Sequence, residues 1–183
     1  MPIHITAPFD REAIRRLRAG DSVLLSGVIL TGRDAAHKRL CALLDASEPL
    51  PVDIRDQAIY YVGPCPPRTG DVIGSCGPTT SGRMDAYAPR LLDLGLAAMI
   101  GKGFRKPEVV DSIRQNGAVY FAATGGAGAL IAQCVKSSRV VAFPDLGTEA
   151  IRELQVYNLP LIVAVDSEGN DLYQTGPQTY RSD

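Results

Sequence analysis

The segment from residue 97 to residue 123 reads AAMIGKGFRKPEVVDSIRQNGAVYFAA and decides the fold class. Its apolar residues at 97–100 and 118–123 predict two short buried strands. The stretch between them, at 107–114, predicts a helix. A strand, a helix and a further strand in succession are typical of α/β domains, in which the sheet is largely parallel or mixed.

The same alternation extends outward in both directions. Downstream, the pattern predicts helices at 128–134 and 149–154 and strands at 140–143, 159–165 and 171–175. Upstream, it predicts strands at 3–6, 21–31, 58–62 and 71–73 and helices at 10–18, 35–44 and 84–94. Asp10 is expected to cap the first helix, and Gly27 is expected to mark a bend or bulge. The sequence therefore predicts one α/β domain over residues 1–183, with a mixed sheet and flanking helices.

Composition excludes several classes of protein. The chain has 183 residues, of which 45% are hydrophobic and 21% are charged, and its net charge is -1. An apolar content this high excludes disorder, and a balanced charge argues against nucleic-acid binding. Apolar runs such as 159–165 are far shorter than the roughly 20 residues of a membrane span. The N-terminal residues show no secretory signal, so we expect a cytoplasmic protein without a membrane partner.

The four cysteines do not form a metal-binding pattern. Cys41, Cys65, Cys76 and Cys134 include no C-x-x-C pair, and the chain has two histidines, His4 and His37. We expect four reduced thiols and no metal site made by this chain alone. A stand-alone metal or thiol enzyme based on Cys65 and Cys76 is the alternative interpretation.

Three polar clusters follow predicted strands, where α/β sheets bind ligands. They are TGRDAAH at 31–37, GSCGPTTSGRM at 74–84 and GKG at 101–103. Cations, hydroxyls and backbone N–H groups in these positions indicate a site for a small anion. The alternatives are that Asp34 only caps a helix beside solvated Arg33 and His37, that 74–84 is a surface loop, and that Lys102 is solvated.

A glycine-rich segment, AATGGAGA at 122–129, lies between a predicted strand and a predicted helix. The G-x-G-x-x-G spacing is broken, and no G-K-[ST] motif is present. The segment therefore favours a tight turn that packs the helix on the sheet. A nucleotide-binding module that uses residues 125–128 is the alternative.

Five motifs together resemble one family. SGVILTGRDAAHKRL (26–40), YYVGPCP (60–66), GSCGPTTSGRMD (74–85), MIGKG (99–103) and DLGTEAI (145–151) are similar to the β subunit, or C-terminal domain, of class I iron–sulfur hydro-lyases. This family contains fumarate hydratases and L(+)-tartrate dehydratases. The resemblance implies a swivelling β/β/α fold. It also implies an active site shared with an α subunit, whose own cysteines hold a [4Fe–4S] cluster.

The resemblance also implies roles for six residues. Arg33, Arg83 and Lys102 would hold the carboxylates of a small dicarboxylate substrate, and Thr79 would remove the proton from carbon. Asp34 and His37 would orient Arg33 or residues of the partner. We expect the β subunit of a heteromeric fumarate hydratase, active only with its α subunit, and the β subunit of L(+)-tartrate dehydratase is the alternative. The start at Met1 favours a separate subunit over an excised domain.

Overall fold

The structure is a computed structural model that describes residues 1–124 and 126–179. Seven strands run along the chain: β1 (Ile3–Ala7), β2 (Ser22–Thr31), β3 (Ala58–Tyr60), β4 (Ala98–Gly101), β5 (Val119–Ala122), β6 (Val135–Ala142) and β7 (Ile151–Val165). The helices are α1 (Arg11–Arg16), α2 (Asp34–Asp45), α3 (Ala88–Asp93), α4 (Pro107–Asn116), α5 (Gly128–Cys134) and α6 (Leu172–Thr179). Two 3₁₀ segments, Ser81–Met84 and Pro144–Glu149, precede α3 and β7. None of the described helices has the length and apolarity needed to cross a membrane.

The strands form one mixed sheet that closes on itself. Strands β1 to β5 pair in parallel in chain order, and β7 pairs antiparallel with β5, β6 and β2. The pairing of β7 with both β2 and β5 closes the sheet into a ring. The predicted α/β class, with a mixed sheet and flanking helices, is confirmed. Because β2, β3, β4 and β5 are parallel, their carboxyl ends meet at one edge of the sheet.

Alternating side chains of the central strands fill two cores. Tyr60 and Phe121 enter the core that contains Ile14 of α1 and Ile131 of α5. The neighbouring residues Tyr61 and Tyr120 enter the other core, with apolar residues of α2, α3 and α4. This period of two is the strand geometry that the apolar runs predicted.

Gly27 marks an irregularity in β2, as predicted. The pairing of β2 with β7 shifts register between Leu25 and Gly27, and Gly27 has φ +104°. A Cβ at this position would collide with the backbone of Ala7 on β1. Asp10 also has its predicted role, since its carboxylate accepts a hydrogen bond from the N–H of Glu12 at 3.0 Å.

Two predictions near the C-terminus are wrong. Residues 149–154 are predicted as a helix, but β7 begins at Ile151, because pairing with β2 on one edge and β6 on the other satisfies its backbone. Residues 171–175 are predicted as a strand, but α6 begins at Leu172. The carboxylate of Asp171 accepts from the N–H of Tyr173 at 2.9 Å, which is the contact of a helix cap.

Two predictions in the middle of the chain also need correction. Residues 71–73 are not a strand; they belong to a loop closed by the hydrogen bonds from Cys65 N to Ser75 O and from Gly74 N to Cys65 O. The helix predicted over 84–94 is shorter, because a 3₁₀ segment ends at Met84 and α3 begins at Ala88, with a proline in its first turn.

A buried ion pair attaches the 3₁₀ segment to the start of α4. Arg105 and Asp85 are 5% and 6% exposed, and Arg105 Nε donates to Asp85 Oδ1 at 2.7 Å. The other carboxylate oxygen accepts from the N–H of Lys106 at 2.8 Å. The guanidinium also lies over the rings of Tyr61 and Tyr120, at 5.4 Å and 4.9 Å from their centroids.

Replacement of Asp85 tests how far this pair stabilises the fold. Asp85→Ala leaves a buried guanidinium without a counter-charge, so we expect the free energy of unfolding to fall by about 3–5 kcal/mol. Asp111→Ala is the matched control, because the Arg114–Asp111 pair is exposed and such pairs contribute about 1 kcal/mol or less. Urea unfolding followed by circular dichroism measures both. A loss in Asp85→Ala as small as that in the control would contradict this assignment.

Candidate active site

The structure brings the four residues predicted to bind or act on substrate to the same sheet edge. Arg33 lies just beyond the carboxyl end of β2, and Lys102 lies just beyond the end of β4. The loop with Thr79 and Arg83 crosses between them. The N–H of Thr79 donates to the carbonyl of Tyr61, directly after β3, at 2.7 Å. The edge therefore carries three cations and a threonine.

Three contacts fix the crossing loop beside Lys102. The N–H of Ser81 donates to the carbonyl of Lys102 at 2.8 Å. The hydroxyl of Ser81 donates to the Tyr120 hydroxyl at 2.8 Å, which in turn donates to the carbonyl of Gly103 at 2.9 Å. A Cβ at Gly101 would collide with Ser81 Oγ, so this close approach requires glycine. The alternative that residues 74–84 are only a surface loop does not fit a buried Ser81.

Arg33 lies against the start of the proline-rich loop. Its guanidinium and Cδ occupy the space that a side chain at Gly63 would need. Its Nε is 3.9 Å from Glu149 Oε1, too far for a hydrogen bond, and this buried Nε has no hydrogen-bond partner within the described residues. Arg33 is thus held in place while part of its donor capacity remains unused.

Asp34 binds Arg83. Arg83 Nε donates to Asp34 Oδ1 at 3.0 Å, and Arg83 Nη2 lies 2.8 Å from Oδ2, a close ion-pair contact without hydrogen-bond geometry. The resemblance predicts that Asp34 orients Arg33 or a partner residue, whereas this carboxylate orients the other arginine. Asp34 is the first residue of α2, and Arg33 occupies the cap position, so the alternative in which Asp34 is the helix cap is wrong.

His37 is buried and supports Arg33 through its backbone. It is 0% exposed, its Nδ1 lies 2.8 Å from the carbonyl oxygen of Arg33, and its ring packs edge-on against Tyr61 with centroids 5.3 Å apart. Burial lowers the pKa of His37 to about 4, so the ring is neutral at pH 7 and donates its Nδ1–H to that carbonyl. His37 is therefore not the solvated residue of the alternative interpretation.

The three cations differ in how much counter-charge they already have. Arg83 is paired with Asp34, and Arg33 has only the long contact with Glu149. Lys102 is exposed and forms no ion pair with any described residue. Three positive side chains against two carboxylates leave an excess of positive charge, and this arrangement suits a small organic anion.

Sequence reasoning missed several residues that shape this edge. Glu149 lies in the DLGTEAI motif, but no spacing rule connects it to Arg33. Tyr61 and Tyr120 look like ordinary strand residues in the sequence. Ser81 had one signal, the hydroxyl-rich PTTS stretch that also contains Thr79.

The four cysteines differ in burial. Cys41 and Cys76 are buried, Cys65 is exposed and Cys134 is half-buried, all as free thiols. Burial raises the pKa of Cys76 to about 11, which disfavours the thiolate that a thiol enzyme based on Cys65 and Cys76 needs. Among the described residues, no group of three or more His, Cys, Asp and Glu side chains is placed to hold a metal ion.

The glycine-rich segment at 122–129 packs closely against the 74–84 loop near its C-terminal end. Gly128 begins α5, and a Cβ there would collide with Ser75 and lie 2.9 Å from Gly77 N. The carbonyl of Gly128 accepts from the N–H of Cys76 at 3.2 Å. This agrees with a tight turn that packs helix on sheet. Gly125, part of the alternative nucleotide loop, lies outside the described residues.

Comparison with known proteins gives a consistent result. The family model described as "Fumarase C-terminus" matches residues 1–176. The chain is 43% identical over 152 residues to "Fumarate hydratase class I, anaerobic" of Escherichia coli, which covers 82% of this chain and 28% of that protein. It is 35% identical over 175 residues to "Fumarate hydratase 2" of Leishmania major, covering 93% of this chain and 31% of that protein.

A further relative has a similar size. "Putative L(+)-tartrate dehydratase subunit beta" of Methanocaldococcus jannaschii is 42% identical over 170 residues, covering 90% of this chain and 87% of that protein. The chain therefore spans under a third of the fumarate hydratases named above and most of the length of a protein named as a beta subunit.

The lowered pKa of His37 predicts an acid-sensitive fold. Because the folded pKa of about 4 lies below the ordinary 6.5, the unfolded chain takes up a proton first as the pH falls from about 6.5 to 4. Between about pH 7.5 and pH 5, we expect this residue to lower the free energy of unfolding by about 2 kcal/mol.

Urea unfolding at these two pH values measures the effect. His37→Asn keeps an N–H donor near the Arg33 carbonyl but does not titrate, so its pH dependence should be flatter by that amount. His4→Asn, which changes an exposed histidine on β1, is the control and should follow the wild type. Equal pH dependence in wild type and His37→Asn would contradict the assignment.

Proposed function

The chain belongs to the fumarase C-terminal family of hydro-lyases, and on this premise we propose that it is the β subunit of a heteromeric [4Fe–4S] fumarate hydratase. Such an enzyme interconverts fumarate and L-malate. The observation that carries the proposal is the convergence of Arg33, Arg83 and Lys102 around Thr79 at one sheet edge. Their residue types and excess positive charge match a substrate with two carboxylates.

In this proposal, the three cations also stabilise the negative charge that forms during the reaction. Dehydration of malate removes a proton from a carbon next to a carboxylate, and negative charge then builds on that carboxylate. Positive groups fixed around it stabilise this transition state more than the ground state. Arg33 offers a planar fork for a carboxylate, Arg83 offers the guanidinium donors that Asp34 does not use, and Lys102 offers an ammonium group that pairs with no described carboxylate. Asp34 and His37 hold the two arginines, through the side chain of Arg83 and the backbone of Arg33.

Thr79 is the proposed acceptor of the proton. Its backbone is fixed by Tyr61, and its hydroxyl forms no hydrogen bond with any described residue, so the hydroxyl is available to a substrate. A free hydroxyl is a very poor base at neutral pH. In this proposal, the neighbouring cations lower its pKa strongly, or the hydroxyl passes the proton onward.

We assign the iron–sulfur cluster to the partner subunit. The four cysteines are free thiols, and among the described residues no group of three or more His, Cys, Asp and Glu side chains is placed to hold a metal ion. When bound, the cluster would supply a Lewis acid that makes hydroxide a better leaving group. This chain's part is to hold the carboxylates and to receive the proton.

The exposure of the edge supports a partner that covers it. Lys102 is exposed, and Phe104, two residues later, is 68% exposed and packs only partly on Tyr173, with ring centroids 5.0 Å apart. The fumarate hydratases named above extend well beyond the matched segment. A cluster-bearing α subunit seated on this edge would account for both features.

The second candidate function is the β subunit of L(+)-tartrate dehydratase. The relative from Methanocaldococcus jannaschii favours it, because that protein carries this name and is matched over 87% of its length. L-Malate and L(+)-tartrate differ by one hydroxyl group. The residues that contact this hydroxyl can belong to either subunit.

An anaerobic absorbance assay of fumarate formation from L-malate tests the proposal. We expect no activity from this chain alone and activity when a cluster-loaded candidate α subunit is added. The same mixture then receives L(+)-tartrate, and the ratio of the two kcat/KM values decides between the candidate functions. If the chains co-elute but act only on tartrate, the fumarate assignment is wrong. If they do not co-elute, the β-subunit assignment is wrong.

Two substitutions separate the roles of the site residues in the assembled enzyme. Arg83→Ala removes a carboxylate contact, so kcat/KM should fall by about a thousandfold. Thr79→Val keeps the shape but removes the hydroxyl, so kcat should fall by about a hundredfold or more with little change in KM.

Matched controls use neighbouring or similar residues. Thr80→Val changes the adjacent exposed threonine, and Arg114→Ala removes an exposed arginine of α4; both should keep wild-type kinetics. Size-exclusion chromatography verifies that each variant still assembles. Near wild-type kcat in Thr79→Val would place the proton acceptor on the partner, and near wild-type kcat/KM in Arg83→Ala would refute the carboxylate contact.

A further inference from the structure

A cavity of about 510 Å³ lies between the proline-rich loop and strands β6 and β7. Its wall is mostly apolar and includes Pro64, Pro66, Val72, Val140 and Pro144. We call it the proline cavity. Arg33, Thr79, Arg83 and Lys102 do not line it. Its volume lies within the range of small-molecule sites, about 300–1,000 Å³.

The polar side of the proline cavity is built by strand register. Val140 of β6 pairs with Arg152 of β7, and Ser138 lies two residues before Val140. Cross-strand partners and residues two apart share a face of a sheet, so Ser138 and Arg152 point to the same side. Both line the cavity. The backbone N–H of Arg152 donates to Thr31 Oγ1 at 3.0 Å, which fixes this part of the strand.

Two polar atoms on this side lack a partner. Ser138 Oγ and Arg152 Nε are buried, and neither forms a hydrogen bond with any described residue. Buried polar groups without partners are costly and rare in native proteins. Two of them in one cavity indicate that a group from outside the chain satisfies them.

The acidic residues close to Arg152 in the sequence do not form an ion pair with it. Each of the neighbouring acids pairs with a different arginine: Asp145 with Arg39, Glu149 with Arg33 and Glu153 with Arg139. Arg152 is the one charged residue among those that line the cavity. The missing group is therefore an anion, and one cation balances a single negative charge.

We propose that the proline cavity binds a small organic monocarboxylate. Its carboxylate would lie on the Arg152 guanidinium, which matches carboxylate geometry, and accept a hydrogen bond from Ser138. Its apolar body would pack on the proline wall. A dianion such as phosphate fits less well, because its second charge would face apolar side chains without a counter-ion.

An NMR titration of the full chain tests this proposal with benzoate as the probe. We expect shifts of the backbone amides of Ser138, Thr148 and Arg152 and of the Arg152 Nε–H, with a Kd of about 1 mM, as suits a small ligand. Benzamide has the same shape without the charge, and inorganic phosphate has charge without an apolar body. Both should bind there at least about tenfold more weakly.

Substitutions test whether Arg152 and Ser138 bind the benzoate. Arg152→Gln should weaken benzoate binding at least about tenfold, because a charge-assisted contact is lost. Arg139→Gln is the matched control on the adjacent strand, and its binding should equal that of the wild type. If Arg152→Gln does not fold, Ser138→Ala decides, with an expected loss of about fivefold.

Four results would overturn the proposal. They are no benzoate response at the named amides, an unchanged response in Arg152→Gln or in Ser138→Ala, equal binding of benzamide or phosphate, and loss of the response when the chain is assembled with its partner. The last result would mean that a group of the partner fills the proline cavity. The first three outcomes need neither the partner nor the hydratase assay, so the two proposals can fail separately.

Discussion

The buried ion pair between Arg105 and Asp85 attaches the end of the loop with Thr79 and Arg83 to the start of α4. Removing two charges from water is costly, and this cost is offset only because Asp85 accepts two hydrogen bonds and Arg105 lies over two aromatic rings. The hydrogen bonds of the pair are directional. Next to it along the chain, Ser81 is held beside Lys102 by its own N–H, which donates to the Lys102 carbonyl.

The three cations at this sheet edge repel one another, and carboxylates of the same chain partly neutralise them. Three like charges close together repel one another, and their repulsion would destabilise the fold in the absence of an anion. Asp34 and Glu149 reduce it unequally, since Asp34 lies 2.8 Å from Arg83 and Glu149 lies 3.9 Å from Arg33. Arg83 therefore has a close counter-charge, whereas among the described residues Arg33 Nε forms no hydrogen bond and Lys102 forms no ion pair. In the proposed reaction, these unused donors would supply the attraction for a carboxylate.

Local patterns were sufficient for most of the sheet but not for contacts between distant residues. The runs at 97–100 and 118–123 became β4 and β5, because short apolar segments between helices have few other structures available. Residues 149–154 were predicted as a helix, but β7 begins at Ile151 and pairs with β2, more than 100 residues away. The positions of Arg33 and Lys102 at strand ends were predictable from the alternation. Thr79 was expected to follow a strand at 71–73 that the structure lacks, and it reaches the edge through its hydrogen bond to Tyr61. The Arg83–Asp34 and Arg33–Glu149 contacts were not, because they join residues 49 and 116 apart through the tertiary fold.

The open edge explains why this chain would need a cover in order to act as a catalyst. An ion pair exposed to water contributes about 1 kcal/mol or less, because the solvent screens it. The same contact contributes several times more when water is excluded and the local dielectric falls. Arg83 is 51% exposed and Lys102 is exposed too, so their charges act largely in water. A partner seated over this edge would therefore strengthen groups that this chain has already placed, without moving them.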